Sequence, residues 1–162
     1  MYQIRPVRLE DLDALASMYS YYALNTVTTY CDHAVTPQYM NALLRGPGHY
    51  CFVAVCPDGS IAGYLHLTPM FSFIGKKYEV AIYLMPEHTG RGLGRRMVLY
   101  GEEFAASVGA RHLAVSVCTE NAPSLGLFDS LGYRRTRIKV AAGIKFDRYL
   151  DTQLFEKSLD QG

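Results

Sequence analysis

Three closely spaced glycines, Gly90, Gly92 and Gly94, divide a strand-like segment from a helix-like one in the middle of the 162-residue chain. Residues 79–85, which precede them, are apolar after the first position and predict a strand. Residues 93–108 repeat apolar side chains at helical spacing and predict a helix. Glycine permits positive φ and close approach of a ligand, and free N–H groups at a helix start attract anions. This order therefore predicts a phosphate-binding unit.

The residues beside the glycines strengthen this prediction and narrow the ligand. Positive charge comes from Arg91, Arg95 and Arg96, and Leu93 opens the helix. A Walker A loop needs Lys and then Ser or Thr after its glycines, and a dinucleotide fingerprint needs a different position for the third glycine. Residues 90–96 fit neither pattern. The alternative without a ligand is a glycine-rich helix start with solvated arginines.

Composition describes an ordinary globular protein, since 49% of the residues are hydrophobic and 19% are charged. The length predicts a single domain over residues 1–162. A formal net charge of +1 argues against a nucleic-acid partner. The sequence holds no apolar run long enough to cross a membrane and starts without a signal peptide. We therefore expect no membrane partner and a cytoplasmic location.

The cysteines and histidines follow no metal or redox motif. In a reducing compartment, free thiols are expected at Cys31, Cys51, Cys56 and Cys118. Their spacing, like that of the five histidines, matches no known ligand pattern. We therefore expect no metal site.

Periodicity along the chain predicts alternating strands and helices. The predicted strands cover residues 2–7, 50–56, 60–68, 76–85, 111–118, 133–140 and 151–156. The predicted helices cover residues 9–22, 37–46, 93–108 and 121–131. In the third helix, the apolar stripe facing the core is expected to consist of Leu93, Met97, Tyr100, Phe104 and Val108. This order predicts an α/β (α+β) fold, with a twisted mixed sheet of about seven strands and helices on both faces.

Three segments resemble motifs of one enzyme superfamily. Residues 89–94 resemble the Q/R-x-x-G-x-G/A loop of the GNAT superfamily of acyl-CoA-dependent N-acetyltransferases, with Thr89 where Gln or Arg is preferred. Residues 121–133 resemble its segment with N-x-x-S followed by L-G-F/Y. Residues 143–152 resemble the G-x-K-x-x-x-W-x-D-T segment of its phosphinothricin and methionine-sulfone N-acetyltransferase group, with Tyr149 replacing Trp. The similarity covers nearly the whole chain and implies the GNAT fold.

The resemblance implies transfer of an acetyl group from acetyl-CoA to the primary amine of a small molecule, an amino acid or a close analogue. Acetyl-CoA would bind its pyrophosphate at the glycine loop and make further contacts with Ile82, Tyr83, Leu84, Asn121, Ser124 and Phe128. A backbone N–H of residues 82–84, which would also hold the pantetheine arm, would stabilise the oxyanion. The group is typically dimeric, so a homodimer is expected. The competing functions are a protein or peptide N-terminal acetyltransferase and a catalytically silent coenzyme A-binding module.

Glu79 is the candidate catalytic base. An amine must lose a proton before it attacks a thioester, and a carboxylate beside apolar side chains is suited to accept that proton. Strand alternation places Glu79 on one face with Ala81 and Tyr83, and the resembling family gives a glutamate at this position that role. The alternative is a solvated strand end beside Lys76 and Lys77, since glutamate is rarely buried.

Phe128 stands where relatives commonly carry Tyr or His near the coenzyme sulfur, and phenylalanine cannot donate a proton. Its spacing with Leu127 and Leu131 fits an ordinary core residue as well. The leaving thiolate would then be protonated by water, by Tyr83 or Tyr133, or by no dedicated acid.

The acceptor-binding residues implied by the same resemblance are Thr26, Thr28, Thr29, Tyr30, Phe73, Glu79 and Lys145. A buried substrate carboxylate needs a cation or several donors, which Lys145 and the threonine hydroxyls would supply. Residues 69–75 are largely apolar and uncharged, so a neutral, moderately apolar amino acid is expected to outrank phosphinothricin. If exposed, the same loop would instead suit a dimer surface.

Overall fold

The computed structural model of the chain describes residues 1–159. Within them, the strands are Gln3–Pro6 (β1), Tyr50–Val55 (β2), Ile61–Met70 (β3), Lys77–Leu84 (β4), His112–Cys118 (β5), Arg134–Lys145 (β6) and Arg148–Ser158 (β7). The α-helices are Leu12–Asn25 (α1), Pro37–Leu44 (α2), Leu93–Ser107 (α3) and Ala122–Ser130 (α4), and 3₁₀ turns cover Leu9–Asp11 and Pro86–His88. The end of the predicted domain, residues 160–162, lies outside the described part.

One sheet contains these strands in the order β1-β2-β3-β4-β5-β7-β6, which confirms the predicted mixed sheet of seven strands. The neighbouring pairs are antiparallel, except that β4 and β5 run parallel. Parallel neighbours require a crossover connection, which α3 provides between β4 and β5.

Each face of the sheet has its own apolar cluster beneath a pair of helices. Leu65 and Val80 belong to the cluster that packs under α3 and α4. Val53 and Tyr64 belong to the cluster that packs under α1 and α2, and Tyr83 lies against it. Helices therefore cover both faces, as predicted. Because side chains alternate along a strand, β4 contributes to both clusters.

β4 and β5 are paired at one end only, where residues 77–79 lie opposite residues 112–114. β3 stays paired with β4 as far as Leu84, and β7 stays paired with β5 as far as Cys118. The sheet therefore splits into two halves beyond Glu79. The gap between the C-terminal parts of β4 and β5 positions the candidate site.

The apolar stripe of α3 differs from the prediction. Its buried positions are Leu93, Met97, Val98, Gly101 and Ala105. A Cβ atom on Gly101 would lie 2.9 Å from Leu65, so the helix backbone packs directly on β3. The rings of Tyr100 and Phe104 are therefore displaced to the helix flank, where both contact Phe52.

The last two strands extend beyond their predicted bounds of 133–140 and 151–156. They meet at a two-residue turn, Phe146 and Asp147, where both φ angles are positive, at 54° and 61°. Hairpin turns of this kind usually contain glycine or asparagine, so the aromatic Phe146 conceals the turn in the sequence. Register shifts within β6, one of them between Lys139 and Gly143, also interrupt the alternation that predicts a strand.

Candidate functional site

Two adjoining cavities fill the gap between β4 and β5. The first, about 180 Å³ in volume, is lined by Thr28, Glu79, Val80, Ala81, Ile82, Tyr83, Val115, Ser116, Val117, Asn121, Ser124 and Phe128. The second, about 540 Å³, is lined by Tyr22, Thr28, Ile82, Tyr83, Leu84, Thr89, Gly90, Gly92, Gly94, Arg95, Asn121, Pro123, Ser124 and Leu127. Because several residues line both cavities, we treat them as one continuous space, called the cleft below. Most of the predicted site residues line it.

The backbone of β4 presents alternate residues to the cleft. The Met85 N–H donates to the Ala62 carbonyl, and alternation along an antiparallel pair then turns the backbone of Tyr83 towards β3. The backbone groups of Ile82 and Leu84 consequently face the cleft, although the Leu84 carbonyl already accepts a hydrogen bond from the Tyr22 hydroxyl. The backbone groups of Tyr83 thus face β3 while those of Ile82 face the cleft, so Ile82 is the better candidate for a backbone contact with a ligand.

The glycine loop has the geometry that an anion site requires. Gly90 and Gly92 have φ angles of 73° and 80°, which favour glycine, and a Cβ atom at either would meet no atom within 4 Å. The first intrahelical hydrogen bond of α3 runs from the Arg96 N–H to the Gly92 carbonyl. The N–H groups of residues 93–95 precede it, so they point out of the helix start towards this open space.

Three predicted loop residues lie outside the lining of the cleft. Leu93 is buried in the core with its side chain, so only its N–H can serve a ligand there. Arg96 lines a separate surface depression beside β1. Arg91 is exposed and lines neither cavity. Arg95 is the one arginine of the three that lines the cleft.

Glu79 lies at the point where the two strands separate and lines the cleft. It is half-buried, and its Oε2 accepts a 3.0 Å hydrogen bond from Ser116 Oγ on β5. The lysines that would make it a solvated strand end have other partners. Lys77 pairs with Glu156 at 3.3 Å, and Lys76 Nζ donates to the Val108 carbonyl.

Ser116 is a site residue that the sequence analysis missed. The only signal for it is that it interrupts the otherwise apolar run Leu113–Cys118 of β5, where its neighbours Val115 and Val117 are buried. A single serine in a strand is common, and its partner Glu79 is 37 residues away in sequence. The pairing therefore becomes visible only in the fold.

Phe128 is 1% exposed and forms part of the wall of the cleft. Its ring packs edge-on against Tyr133 at 5.1 Å between centroids, so the predicted core position holds. Tyr133 is not available as the alternative acid, because its hydroxyl donates to Glu102 on α3 at 2.9 Å. Burial raises the pKa of Tyr133 and that of Tyr83.

Asn121 caps α4 and also lines the cleft. Its side-chain oxygen accepts from the Ser124 N–H at 3.4 Å and caps α4. Its Nδ2 donates to Thr28 Oγ1, also at 3.4 Å. Because all three residues line the cleft, Asn121 ties the start of α4 to the polar segment that follows α1.

That segment, residues 26–30, holds four acceptor-binding candidates, of which Thr28 lines the cleft. The Thr26 hydroxyl donates to the Tyr22 carbonyl at the end of α1. Thr29 Oγ1 lies 2.9 Å from the Tyr19 hydroxyl. These contacts give Thr26 and Thr29 a role in shaping the segment, and neither lines the cleft.

Tyr30 is held by the last two strands. Its hydroxyl lies at hydrogen-bond distance from Thr152 Oγ1 and from the Asp151 carbonyl. A Cβ atom on Gly143 would come within 2.4 Å of the Tyr30 ring. The ring can therefore pack there only because Gly143 has no side chain. The resembling G-x-K motif thus has a packing reason for its glycine.

Two of the predicted acceptor-binding residues, Lys145 and Phe73, do not line the cleft. Lys145 is 3% exposed, and its Nζ donates to the Thr29 carbonyl at 2.7 Å and the Tyr22 carbonyl at 3.4 Å. Burial lowers its pKa, and its role is to fasten β6 to the polar segment. Phe73 is 93% exposed and belongs to the surface loop between β3 and β4.

Residues 1–159 contain no group of three or more His, Cys, Asp or Glu side chains placed to hold a metal ion. Among the same residues, no helix has the length and apolar character needed to cross a membrane.

Comparison with known proteins agrees with this geometry. The profile of the acetyltransferase (GNAT) family matches residues 15–133. An L-amino acid N-acyltransferase of Escherichia coli strain K12 is 29% identical over 162 residues, which cover 98% of this chain and 94% of that protein. An L-methionine sulfoximine/L-methionine sulfone acetyltransferase of Salmonella typhimurium strain LT2 is 28% identical, with coverage of 93% and 91%.

The fold matches solved structures as well. The crystal structure of a phosphinothricin acetyltransferase from Sinorhizobium meliloti, in complex with acetyl-CoA, superimposes with a TM-score of 0.90 at 25% identity. The match covers 99% of this chain and 90% of that one.

Proposed function

The chain belongs to the acetyltransferase (GNAT) family, and we propose that it acetylates the α-amine of a small amino acid or amino-acid analogue. The general reaction, acyl transfer from acetyl-CoA to an amine, follows from the family and from its acetyl-CoA-bound structures. The observation that supports the proposed site most directly is the position of Glu79, which lines the cleft where β4 and β5 separate.

The cleft suits acetyl-CoA along its length. The open glycine loop and the N–H groups of residues 93–95 are placed to bind the pyrophosphate, and Arg95 adds positive charge. The backbone groups of Ile82 are placed to hydrogen-bond the pantetheine arm. When bound, acetyl-CoA supplies the thioester carbonyl that an amine attacks.

Glu79 is then placed to remove the proton of the amine. Its carboxylate faces the cleft beside the backbone of β4, so amine, base and a backbone donor for the oxyanion share one small space. The bond from Ser116 Oγ to Oε2 fixes the carboxylate and leaves Oε1 for the amine.

None of the side chains considered as the acid is placed to act beside this base: Tyr83 lines the cleft, but its ring stacks on Tyr64 in the cluster under α1 and α2. Phe128 has no proton to donate, and the Tyr133 hydroxyl is bonded to Glu102. We therefore assign protonation of the leaving thiolate to water.

The acceptor head group has to be recognised without Lys145, which is committed to two carbonyls. Hydroxyl and amide donors of the cleft, such as Thr28 and Asn121, are the groups left for a carboxylate. A cleft wall with neutral donors favours a neutral amino acid over the doubly anionic phosphinothricin. The names of the relatives from E. coli and S. typhimurium support an amino-acid acceptor.

A thiol-release assay with a panel of amines tests this function. Methionine sulfone, methionine sulfoximine, leucine, phosphinothricin, a set of polyamines and a short peptide would be compared by kcat/KM. We expect methionine sulfone or sulfoximine to lead. A preference for phosphinothricin would contradict the argument that the acceptor pocket is neutral. A preference for polyamines would contradict the expectation that the acceptor carries a carboxylate beside its amine. Peptide acetylation would indicate an N-terminal acetyltransferase, and no turnover with retained acetyl-CoA binding would indicate a silent module.

We also infer a homodimer. Large apolar side chains are exposed in the β3–β4 loop, at Phe71, Phe73 and Ile74, and on the edge strand β6, at Ile138 and Val140. Exposed apolar surface of this kind is typical of interfaces. Sedimentation velocity would show a dimer, and charged substitutions at Ile138 and Val140 would be compared with the same substitutions at Phe71 and Phe73 to locate the interface. A monomer at micromolar concentration would overturn the inference.

A further inference from the structure

Cys56, His88 and Tyr2 form a cluster that the acetyl-transfer site does not use. Cys56 follows β2, His88 ends the 3₁₀ turn before the glycine loop, and Tyr2 precedes β1. Cys56 Sγ lies 3.6 Å from His88 Nε2, and the Tyr2 hydroxyl lies 2.7 Å from His88 Nδ1. The Tyr2 ring also stands edge-on to the imidazole, with 5.5 Å between centroids. Three distant segments thus hold one imidazole between a thiol and a phenol.

This arrangement is that of an activated nucleophile, in which a base faces the nucleophile and a third group orients the base. An imidazolium beside Cys56 stabilises a thiolate, and the Tyr2 oxygen can accept the hydrogen of Nδ1 while Nε2 faces the sulfur. We propose that Cys56 is a reactive thiol that forms mixed disulfides with low-molecular-weight disulfides, and that this modification weakens acetyl-CoA binding.

The exchange is balanced without another reactant. His88 accepts the thiol proton, and the Cys56 thiolate attacks one sulfur of the small disulfide. A new bond forms between Cys56 Sγ and that sulfur as the original S–S bond breaks. The released thiolate takes the proton back from His88, so one protein thiol and one disulfide become one mixed disulfide and one small thiol.

The other cysteines provide the contrast. Cys51 and Cys118 are buried, and burial raises the pKa of Cys51 to about 12. Cys31 also lies 3.6 Å from a histidine nitrogen, His33 Nδ1, but that same nitrogen lies 3.3 Å from the Ala34 carbonyl. His33 is exposed and is two residues away in sequence, so nothing comparable to Tyr2 orients it. Cys31 is therefore a matched control for Cys56.

The link to acetyl-CoA follows from the position of His88, and it rests on the function proposed for the glycine loop. The His88 N–H donates to the Met85 carbonyl, and the Thr89 N–H donates to the Pro86 carbonyl. Thr89 and Gly90, directly after His88, line the cleft. Cys56 is half-buried, and a group attached to its sulfur replaces the 3.6 Å contact with His88 Nε2; the proposed coupling is that His88 then shifts together with the segment that leads into the loop.

The test treats the full-length protein with glutathione disulfide and follows the sites by intact-protein and peptide mass spectrometry. The variants are Cys56→Ser, Cys31→Ser, His88→Gln and Tyr2→Phe, each checked for folding by circular dichroism. We expect Cys56 to react first, and roughly tenfold more slowly in His88→Gln. Tyr2→Phe, which keeps the ring and removes the hydroxyl, should slow it less. A Cys31 that reacts faster than Cys56, or a Cys56 rate unchanged in His88→Gln, would overturn the reactive thiol.

Coenzyme coupling is measured separately by calorimetric titration. The mixed disulfide of the Cys31→Ser protein should bind acetyl-CoA roughly 5- to 10-fold more weakly than its reduced form. By reciprocity, saturating acetyl-CoA should lower the equilibrium constant for mixed-disulfide formation at Cys56, measured against a glutathione redox buffer, by the same factor. Cys56→Ser should bind acetyl-CoA normally and be insensitive to the disulfide. A modified protein with unchanged affinity would refute the coupling but not the exchange, and a reduced protein that fails to bind acetyl-CoA would refute the proposed function instead.

Discussion

Ser116 Oγ donates a 3.0 Å hydrogen bond to Glu79 Oε2 across the point where β4 and β5 part. The last paired residues there are Glu79 and Ala114, so Ser116 reaches back from two residues further along β5. The bond joins the two halves of the divided sheet at the place where the base is needed. The hydrogen bond from β5 therefore fixes the orientation of the Glu79 carboxylate on β4.

Replacement of Glu79 by Gln keeps the shape of the side chain and removes its ability to accept a proton. Turnover should fall by about 10²- to 10⁴-fold, and calorimetric affinity for acetyl-CoA should stay unchanged. Near-normal turnover at neutral pH would show that another group accepts the proton.

Replacement of Ser116 by Ala frees the Glu79 carboxylate to rotate. We expect kcat to fall by roughly 10- to 100-fold because a misplaced base loses its alignment, with little change in KM for acetyl-CoA. Ser116→Thr, which keeps a hydroxyl, should restore most of the activity. If Ala and Thr variants behave alike in kcat, the hydrogen bond has no positioning role.

Gly92→Val tests the glycine loop. Valine is strained at a φ angle of 80° and would fill the open space beside the helix start, so acetyl-CoA affinity should fall by more than about tenfold, above ~1.4 kcal/mol. Gly59→Val is the control, because Gly59 has a φ angle of 90° and equally open surroundings in the β2–β3 turn. If both variants lose affinity equally, the cause is strain and not the loop.

Lys145→Met removes the lysine donor from the Thr29 carbonyl, whereas the Tyr22 carbonyl loses one donor and keeps those of Thr26. Because buried carbonyls without donors are costly, the free energy of unfolding should fall by about 1–3 kcal/mol in urea denaturation. Lys139→Met, an exposed lysine on the same strand, should change it by less than about 0.5 kcal/mol. A loss confined to kcat/KM for the acceptor, with normal stability, would restore Lys145 as a substrate ligand.

His66 should make the protein less stable in acid. Burial, with a smaller effect from His49, lowers the pKa of His66 from 6.5 to about 4. Between pH 6.5 and pH 4 the unfolded chain binds more protons than the folded one. The stability that neutral, buried His66 contributes is therefore complete above pH 6.5 and falls by up to about 3 kcal/mol as the pH drops towards 4. His66→Gln should remove that part of the pH dependence. Parallel urea titrations from pH 4 to 7 would contradict the assignment if wild type and variant lose stability equally.

The parts of the site that could be predicted from sequence are those made by neighbouring residues. The glycine loop is encoded locally, since Gly90 and Gly92 need only their own backbone angles and the helix that follows. Strand and helix periodicity likewise gave the sheet and its two covered faces. Even there, the turn at Phe146 and Asp147 lacks the usual residues, and the strands on either side of it were predicted too short.

The parts that could not be predicted depend on distant partners. Lysine is usually found on the surface. Lys145 can be buried because carbonyls 116 and 123 residues away accept its hydrogen bonds. Ser116 likewise can be recognised as a site residue only through its hydrogen bond to Glu79. Resemblance of motifs located Lys145 but not Ser116, and the contacts of both residues required the folded structure.

The fastening of residues 26–30 by the last two strands also has a consequence for synthesis. The Tyr30 and Thr152 hydroxyls are 122 residues apart in sequence, so a ribosome that adds 5–20 residues per second needs roughly ten seconds between them. Contacts of such separation also form late in folding. A nascent chain that has completed α1 therefore holds the polar segment only by its contacts with α1, and one wall of the cleft is finished only when β6 and β7 have left the ribosome.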